Sequence, residues 1–183
     1  MGKLLYAVLV GLVGAAIVHI ATLFLLPHYK PRDAWSQLAH VSEPYQLTPV
    51  TGSGANVVPL VRNSDPLMRA GACRFDLANG GIHLFSPRTV PFWSLSIHDR
   101  AGQTTYSLTD RAATNGVLDI IVLSPLRMAD MRRAMPPEFD GAIFIETATA
   151  QGIVVVRALM PDQSWTGAVD AFFAEMGCEP LPD

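Results

Sequence analysis

The sequence predicts a mainly β (α+β) protein: one N-terminal transmembrane helix, then an antiparallel β-sheet or sandwich domain closed by a C-terminal helix. Three observations predict it. Residues 4–26 form an apolar run whose one titratable side chain in mid-span is His19. Between residues 72 and 108, apolar and polar side chains alternate in short stretches separated by turn residues, the period-two signature of strands with one buried face. After Asp162, the residues Trp165, Val169, Phe172 and Met176 recur at helical spacing, with Gly177 as a stop.

Composition bounds the rest. Half of the 183 residues are apolar and 16% are charged, against about 25% charged in an average soluble domain. The deficit lies mostly in the first 30 residues, and the remainder of the chain suffices for one domain with a core but not for two. The chain divides into a transmembrane signal anchor, 1–30, and an exported β-rich domain, 31–183. It holds 13 basic and 16 acidic residues, and Lys3 and Lys30 belong to the anchor, so the domain is net acidic. That excludes nucleic acid as a partner, because phosphate binding needs a surplus of Lys and Arg.

At 1.5 Å per residue a helix of ~23 residues spans about 34 Å, and the hydrocarbon core is roughly 30 Å. Pro27 ends the run, and Tyr6 is placed to anchor one interface. A cleaved signal peptide has an apolar region of only about 7–15 residues and a small-residue cleavage site; Leu23-Phe24-Leu25-Leu26-Pro27 offers none. The segment therefore reads as uncleaved. Lys3 on one side nearly balances Lys30 and Arg32 with Asp33 on the other. Orientation is then set by layout: a three-residue head in the cytoplasm and a long domain exported through the inner membrane. Gly11, Ala15, His19 and Thr22 form a stripe. Either it meets a second helix, since small residues permit close approach and polar ones prefer a partner to lipid, or His19 simply bonds a carbonyl one turn back.

Residues 31–41 read as a short helix with Asp33 as N-cap and Trp35, Leu38 and Ala39 on one face. Residues 42–63 are rich in turn formers around Gly52-Ser53-Gly54, with a weak strand at 57–61. A strand at 72–77 alternates Cys73, Phe75 and Leu77 against Arg74 and Asp76, and Asn79-Gly80-Gly81 reads as a hairpin turn into 82–85. The strand 92–98 comes next, with Trp93, Leu95 and Ile97 opposite Ser94, Ser96 and His98; Asp99-Arg100-Ala101-Gly102 turns it into 104–108. Two hairpins in succession make a meander. Residues 118–123 read as a strand covered on both faces. Ser124-Pro125 starts a helix over 126–134 that Pro136-Pro137 stops. A further hairpin, 141–147 with 153–159, precedes the last helix, which Asp162 caps.

The chemistry-bearing residues admit several readings. Cys73 and Cys178 either bridge, closing a loop of about 105 residues for roughly 4–5 kcal/mol in the chain-entropy model, or remain two buried thiols. Neither has a close-spaced Cys or His, so no metal site is expected, and no cofactor is implied. His98 and Asp99 with Ser96 are the candidates for acid–base or hydrolase chemistry, and Arg74, Asp76 and His83 those for ligand binding. Against catalysis, no Gly-x-Ser-x-Gly elbow occurs, and His98 shares its face with Ser94 and Ser96 as on a solvated sheet. Arg74/Asp76, Asp99/Arg100 and Asp110/Arg111 read as edge and turn ion pairs, and Arg132-Arg133 as a solvated helix end.

The anchor with Arg32-Asp33-Ala34-Trp35, then Asp65-Pro66, Ala72-Cys73-Arg74-Phe75-Asp76-Leu77, Pro91-Phe92-Trp93-Ser94, Asp99-Arg100 and Tyr106-Ser107-Leu108, resembles the small membrane-anchored form of an uncharacterised bacterial envelope family, domain of unknown function 1254. The resemblance implies an exported β-rich domain, accompanied by a sister domain of unknown function, 1214, in the same chain or on a separate small anchored protein. It supplies no activity and no catalytic residues. The expected function is thus a non-catalytic envelope protein acting with a second single-pass membrane protein. The alternative is a periplasmic lipid or glycan binder, or a hydrolase, with a pocket near His98; the two part on whether His98, Arg74 and Asp76 converge.

Overall fold

The computed structural model describes residues 2–29, 34–51 and 65–181, in two units: 1–33 and 34–183. Four expectations lie outside the described residues: the Asp33 cap, the flanking charges Lys30 and Arg32, the Gly52-Ser53-Gly54 turn and the strand at 57–61.

The first unit is one helix, α1 (Gly2–Tyr29). Its stretch Gly2–Leu25 is long and apolar enough to cross a membrane. Gly11, Ala15, His19 and Thr22 are all exposed on it, and the Thr22 hydroxyl donates to the Val18 carbonyl at 2.7 Å. That threonine is satisfied by its own helix.

The second unit is mainly β and α+β: two packed sheets of nine strands. Its elements are α2 (Ala34–Ala39), β1 (Thr48–Pro49), β2 (Met68–Asp76), β3 (Gly81–Ser86), β4 (Trp93–Asp99), β5 (Thr104–Thr109), β6 (Leu118–Leu123), α3 (Pro125–Arg133), β7 (Ile143–Glu146), β8 (Gln151–Leu159), α4 (Thr166–Ala174) and β9 (Gly177–Leu181). The larger sheet runs β1-β2-β8-β4-β5, antiparallel throughout. The smaller runs β7-β6-β3-β9. Alternation aims one face of each sheet at the other. Phe75, Trp93, Leu95, Ile97, Val154 and Val156 meet Ile82, Leu84, Leu118, Ile120, Val122 and Ile145 in a shared core. Phe75, Trp93 and Phe172 are fully buried there, each contributing about 1.5–3 kcal/mol by transfer from water. The Trp93 indole donates to the Gly116 carbonyl at 2.7 Å.

Strand β6 is covered on both faces. Leu118, Ile120 and Val122 face the sandwich core, while Ile121 and Leu123 pack on Met128 of α3. Ser124 caps α3 by accepting the Arg127 N–H, and Pro125 occupies the first turn. Arg132 and Arg133 remain exposed at its end, near Glu146 and Asp130.

The hairpin reading fails at two of three places. β4 and β5 do form one, through a turn in which Gly102 has φ 84°. But β2 and β3 do not pair: they lie in different sheets. Asp76 instead caps a 3-10 turn, Leu77–Asn79, by accepting the Ala78 N–H, and the chain crosses between sheets. Nor do β7 and β8 pair. β7 runs parallel to β6, which the α3 crossover permits, and β8 lies at the middle of the larger sheet between β2 and β4. Asp162 caps a 3-10 turn, Gln163–Trp165, rather than α4 itself, leaving Trp165 partly exposed while Val169, Phe172 and Met176 are buried. Nor does the helix run to Met176 with Gly177 as its stop: α4 ends at Ala174 with Glu175 as C-cap, and Gly177 opens β9, an edge strand unforeseen from sequence, which pairs with β3. In α2, Leu38 is fully buried and Ala39 faces out.

The sulfurs of Cys73 on β2 and Cys178 on β9 are bonded, with Cα atoms 6.7 Å apart. One covalent link thus joins the two sheets.

Candidate functional site

The outer face of the larger sheet carries most of the predicted site residues. Register sets them in rows: Arg74 on β2, Ile153 on β8 and His98 on β4 lie side by side, with Thr104 of β5 next to His98. One row further along, Ala72, Val155 and Ser96 do the same. Much of this face is covered, though Arg157 and Thr104 stay exposed. The segment from α2 to residue 51 folds over it: Tyr45 donates its N–H to the Arg74 carbonyl at 2.8 Å, and Val50 donates to Ala70 at 2.9 Å. Leu38 and Val50 pack on Ala70, Ala72 and Ile153, flanked by Trp35 and Val155.

Arg74 is buried at 7% exposure. Its guanidinium donates to the Ser42 carbonyl and lies 5.3 Å from the centroid of the Trp35 ring, while its Nε has no partner. Arg100 approaches the same ring at 5.9 Å. Asp76 does not pair with Arg74. One oxygen caps Ala78 and the other accepts from the Gln151 amide at 2.7 Å. Asp99 accepts from the Gln103 N–H at 2.8 Å, holding the β4–β5 turn. Among the described residues the expected ion pairs Arg74/Asp76, Asp99/Arg100 and Asp110/Arg111 do not form; alternation along a strand, or adjacency at a turn, did not bring these charges within 4 Å.

His98 sits in a polar relay. Arg157 donates to the Ser96 hydroxyl at 3.2 Å, Ser96 lies 2.9 Å from His98 Nε2, and Thr104 lies 3.2 Å from Nδ1. Each hydroxyl can donate to or accept from the ring nitrogen it meets, so both imidazole nitrogens are satisfied in either tautomer. A hydrolytic Ser–His pair needs a carboxylate behind the imidazole and an exposed nucleophile at a strained turn. Here a hydroxyl stands behind it, and Ser96 is a buried mid-strand residue at 7% exposure.

His83 is elsewhere. It lies on β3 in the smaller sheet, 2.8 Å from Asp119 of β6 and against the rings of Phe85 and Phe139. It therefore shares no site with Arg74 or Asp76.

Between α2 and the outer face of the larger sheet lies a cavity of about 290 Å³. Ala72, Ile153 and Val155 form its floor, Trp35, Leu38 and Val50 its wall, and His98, Asp99 and Arg157 its polar margin. Arg74 stacks on Trp35 without lining the cavity, and Asp76 borders a separate shallow groove with Arg100 and Gln151. The predicted residues other than His83 thus lie on or beside one sheet, and of them only His98 and Asp99 line the cavity. Sequence reasoning missed Arg157 and Trp35 as members. The available signal was Arg157 breaking the apolar run 153–156 of β8, and Trp35 as the one aromatic residue of a short helix.

No family model matches this chain, and no curated protein matches it. Two solved structures are similar in fold. The VPA0106 protein from Vibrio parahaemolyticus aligns over 64% of this chain and 29% of its own, at 11% identity and a TM-score of 0.51. An uncharacterised protein from Burkholderia cenocepacia aligns over 83% of this chain and 44% of its own, at 13% identity and a TM-score of 0.51. The chain spans less than half the length of either, and the likeness is one of fold.

Proposed function

We propose that this protein is a single-pass protein of a bacterial inner membrane, with its head in the cytoplasm and its β-rich domain in the periplasm. The domain is non-catalytic and works in a complex with a second anchored protein. We read it as the small anchored form of domain of unknown function 1254, for which a partner carrying the sister domain 1214 is the one implied. The observation that carries the exported side is the Cys73–Cys178 bond, because structural disulfides persist in oxidising compartments and are rare in the cytosol. The non-catalytic reading draws support from the candidates themselves. Asp76, Asp99, His83 and Arg74 are each held in structural contacts.

The test has two arms. A reporter active only outside the cytoplasm, fused behind Asp183, is expected to be active; activity of a cytosolic reporter instead overturns the orientation. Crosslinking and pull-down from membranes is expected to recover a single-pass partner with the native anchor. Changing both Gly11 and Ala15 to Ile is expected to abolish that recovery, and complexes unchanged by the double substitution remove the helix contact.

A second reading, a periplasmic lipid or glycan binder, is favoured by the cavity beside His98. Its hydrolase variant is not, since the imidazole has no carboxylate partner.

A further inference from the structure

The covered face of the larger sheet concentrates positive charge in a net-acidic chain. Arg74, Arg100 and Arg157 all stand on or beside it, and none of the three has a carboxylate within 4 Å among the described residues. The two nearby acids, Asp76 and Asp99, each spend an oxygen on the turn next to them. Among the described residues, Arg74 carries its charge at 7% exposure against the Ser42 carbonyl and the Trp35 ring, and its Nε has no hydrogen-bond partner. A buried cation so poorly compensated is costly unless an anion joins it or sits close by. Sharing Trp35 with it is a cavity lined by Ala72, Ile153, Val155, Leu38 and Val50, with the polar residues His98, Asp99 and Arg157. The Arg157 guanidinium, a fork of N–H donors, spends one of them on the Ser96 hydroxyl.

The size and the charge select a ligand class. At about 290 Å³ the cavity lies at the small end of ligand pockets, which run roughly 300–1,000 Å³. It takes one short chain and not a diacyl lipid. A planar carboxylate matches the guanidinium fork. Asp99 on the same margin disfavours a second negative charge, and so disfavours a phosphate monoester.

We propose that this cavity binds a medium-chain alkyl carboxylate, its chain on Ala72, Ile153 and Val155 and its head at Arg157. The inference rests on the second, binder reading of the domain and not on assembly with a partner.

The experiment uses the full chain in nanodiscs of neutral phosphatidylcholine, with 10-bromodecanoate as the probe and its bromine as a quencher of Trp35 on the cavity wall. Saturable quenching is expected, absent from Trp35→Phe and competed by unlabelled decanoate. Arg157→Gln, at an exposed position, is expected to keep its melting temperature and weaken binding at least tenfold; methyl 10-bromodecanoate, which keeps the chain and loses the charge, is expected to bind at least tenfold more weakly. Equal saturable binding of acid and ester, or an unchanged affinity in Arg157→Gln, overturns the carboxylate assignment while leaving a lipid binder standing. Quenching by neither probe beyond simple partition into the bilayer overturns the inference and the lipid-binding reading together.

Discussion

At single positions, the cost of a change depends on what the other sheet, or the covering segment, has placed opposite. Gly152 on β8 is the sharpest case. A Cβ there would lie 2.6 Å from the Phe75 ring and clash with the His98 carbonyl, one side chain from the core and one piece of fixed backbone. Gly152→Ala is expected to destabilise the domain by about 1–3 kcal/mol, the usual cost of overpacking, measured as a lower urea midpoint at unchanged slope. Gly102 carries φ 84° with open space around it, so the objection to a side chain there is conformational. Arg74 shows the limit of reading residues from sequence. Period-two alternation correctly separates it from Cys73 and Phe75, and the natural inference from a polar alternate face is solvent. What buries it is a segment about thirty residues earlier, anchored by Tyr45 on the Arg74 carbonyl. No local pattern encodes that docking. Leu38 and Trp35 give only two large apolar side chains, and His98 looked solvated for the same reason.

Among the elements, those whose signals are local were legible. Ser124-Pro125 opened α3, the run 118–123, apolar but for Asp119, became β6, and Asp99 to Gly102 turned β4 into β5. Pairings were less so, because turn chemistry reports that the chain bends and not which strand it meets. Asn79-Gly80-Gly81 bends it into another sheet, and β7 finds β6 instead of β8. β9 carries Pro180, which lowers its strand signal but is tolerated at a sheet edge. The disulfide makes that last strand depend on β2 across a separation of 105 residues. Replacing Cys73 and Cys178 by Ser is expected to cost about 2–5 kcal/mol, read as a fall in the urea midpoint that reducing agent reproduces in the parent and not in the variant. Around α4, two exposed carboxylates respond to acid. The Ser164 hydroxyl and then its N–H lower the Asp162 pKa, and the Arg88 hydrogen bond lowers that of Glu175. A pKa lower in the folded than in the unfolded state stabilises above the ordinary carboxylate range and ceases to do so as pH falls through the folded value. The difference in melting temperature between the parent and an Asp162→Ala, Glu175→Ala double variant is therefore expected to be present at pH 7 and to shrink toward zero on acidification; a constant difference counts against both contacts.

Taken whole, the molecule is an apolar helix, 28 residues long, and a separately folded α+β sandwich. If the helix does more than tether, exchanging it for an unrelated membrane span is expected to leave the domain's melting temperature unchanged while removing partner recovery; retained recovery would reduce α1 to an attachment. The sandwich itself is knitted from distant parts of the chain: residues 68–76 lie beside 151–159, and 81–86 beside 177–181. Such pairings have a kinetic meaning. Loop-closure entropy must be spent before distant strands reward it, which places β sandwiches of this kind in the range of milliseconds to seconds rather than microseconds. Stopped-flow refolding of the oxidised protein is expected in that slow range. If the domain is exported as proposed, that slowness has a use: a chain whose early strands wait for late ones to pair stays open enough to thread a translocation pore.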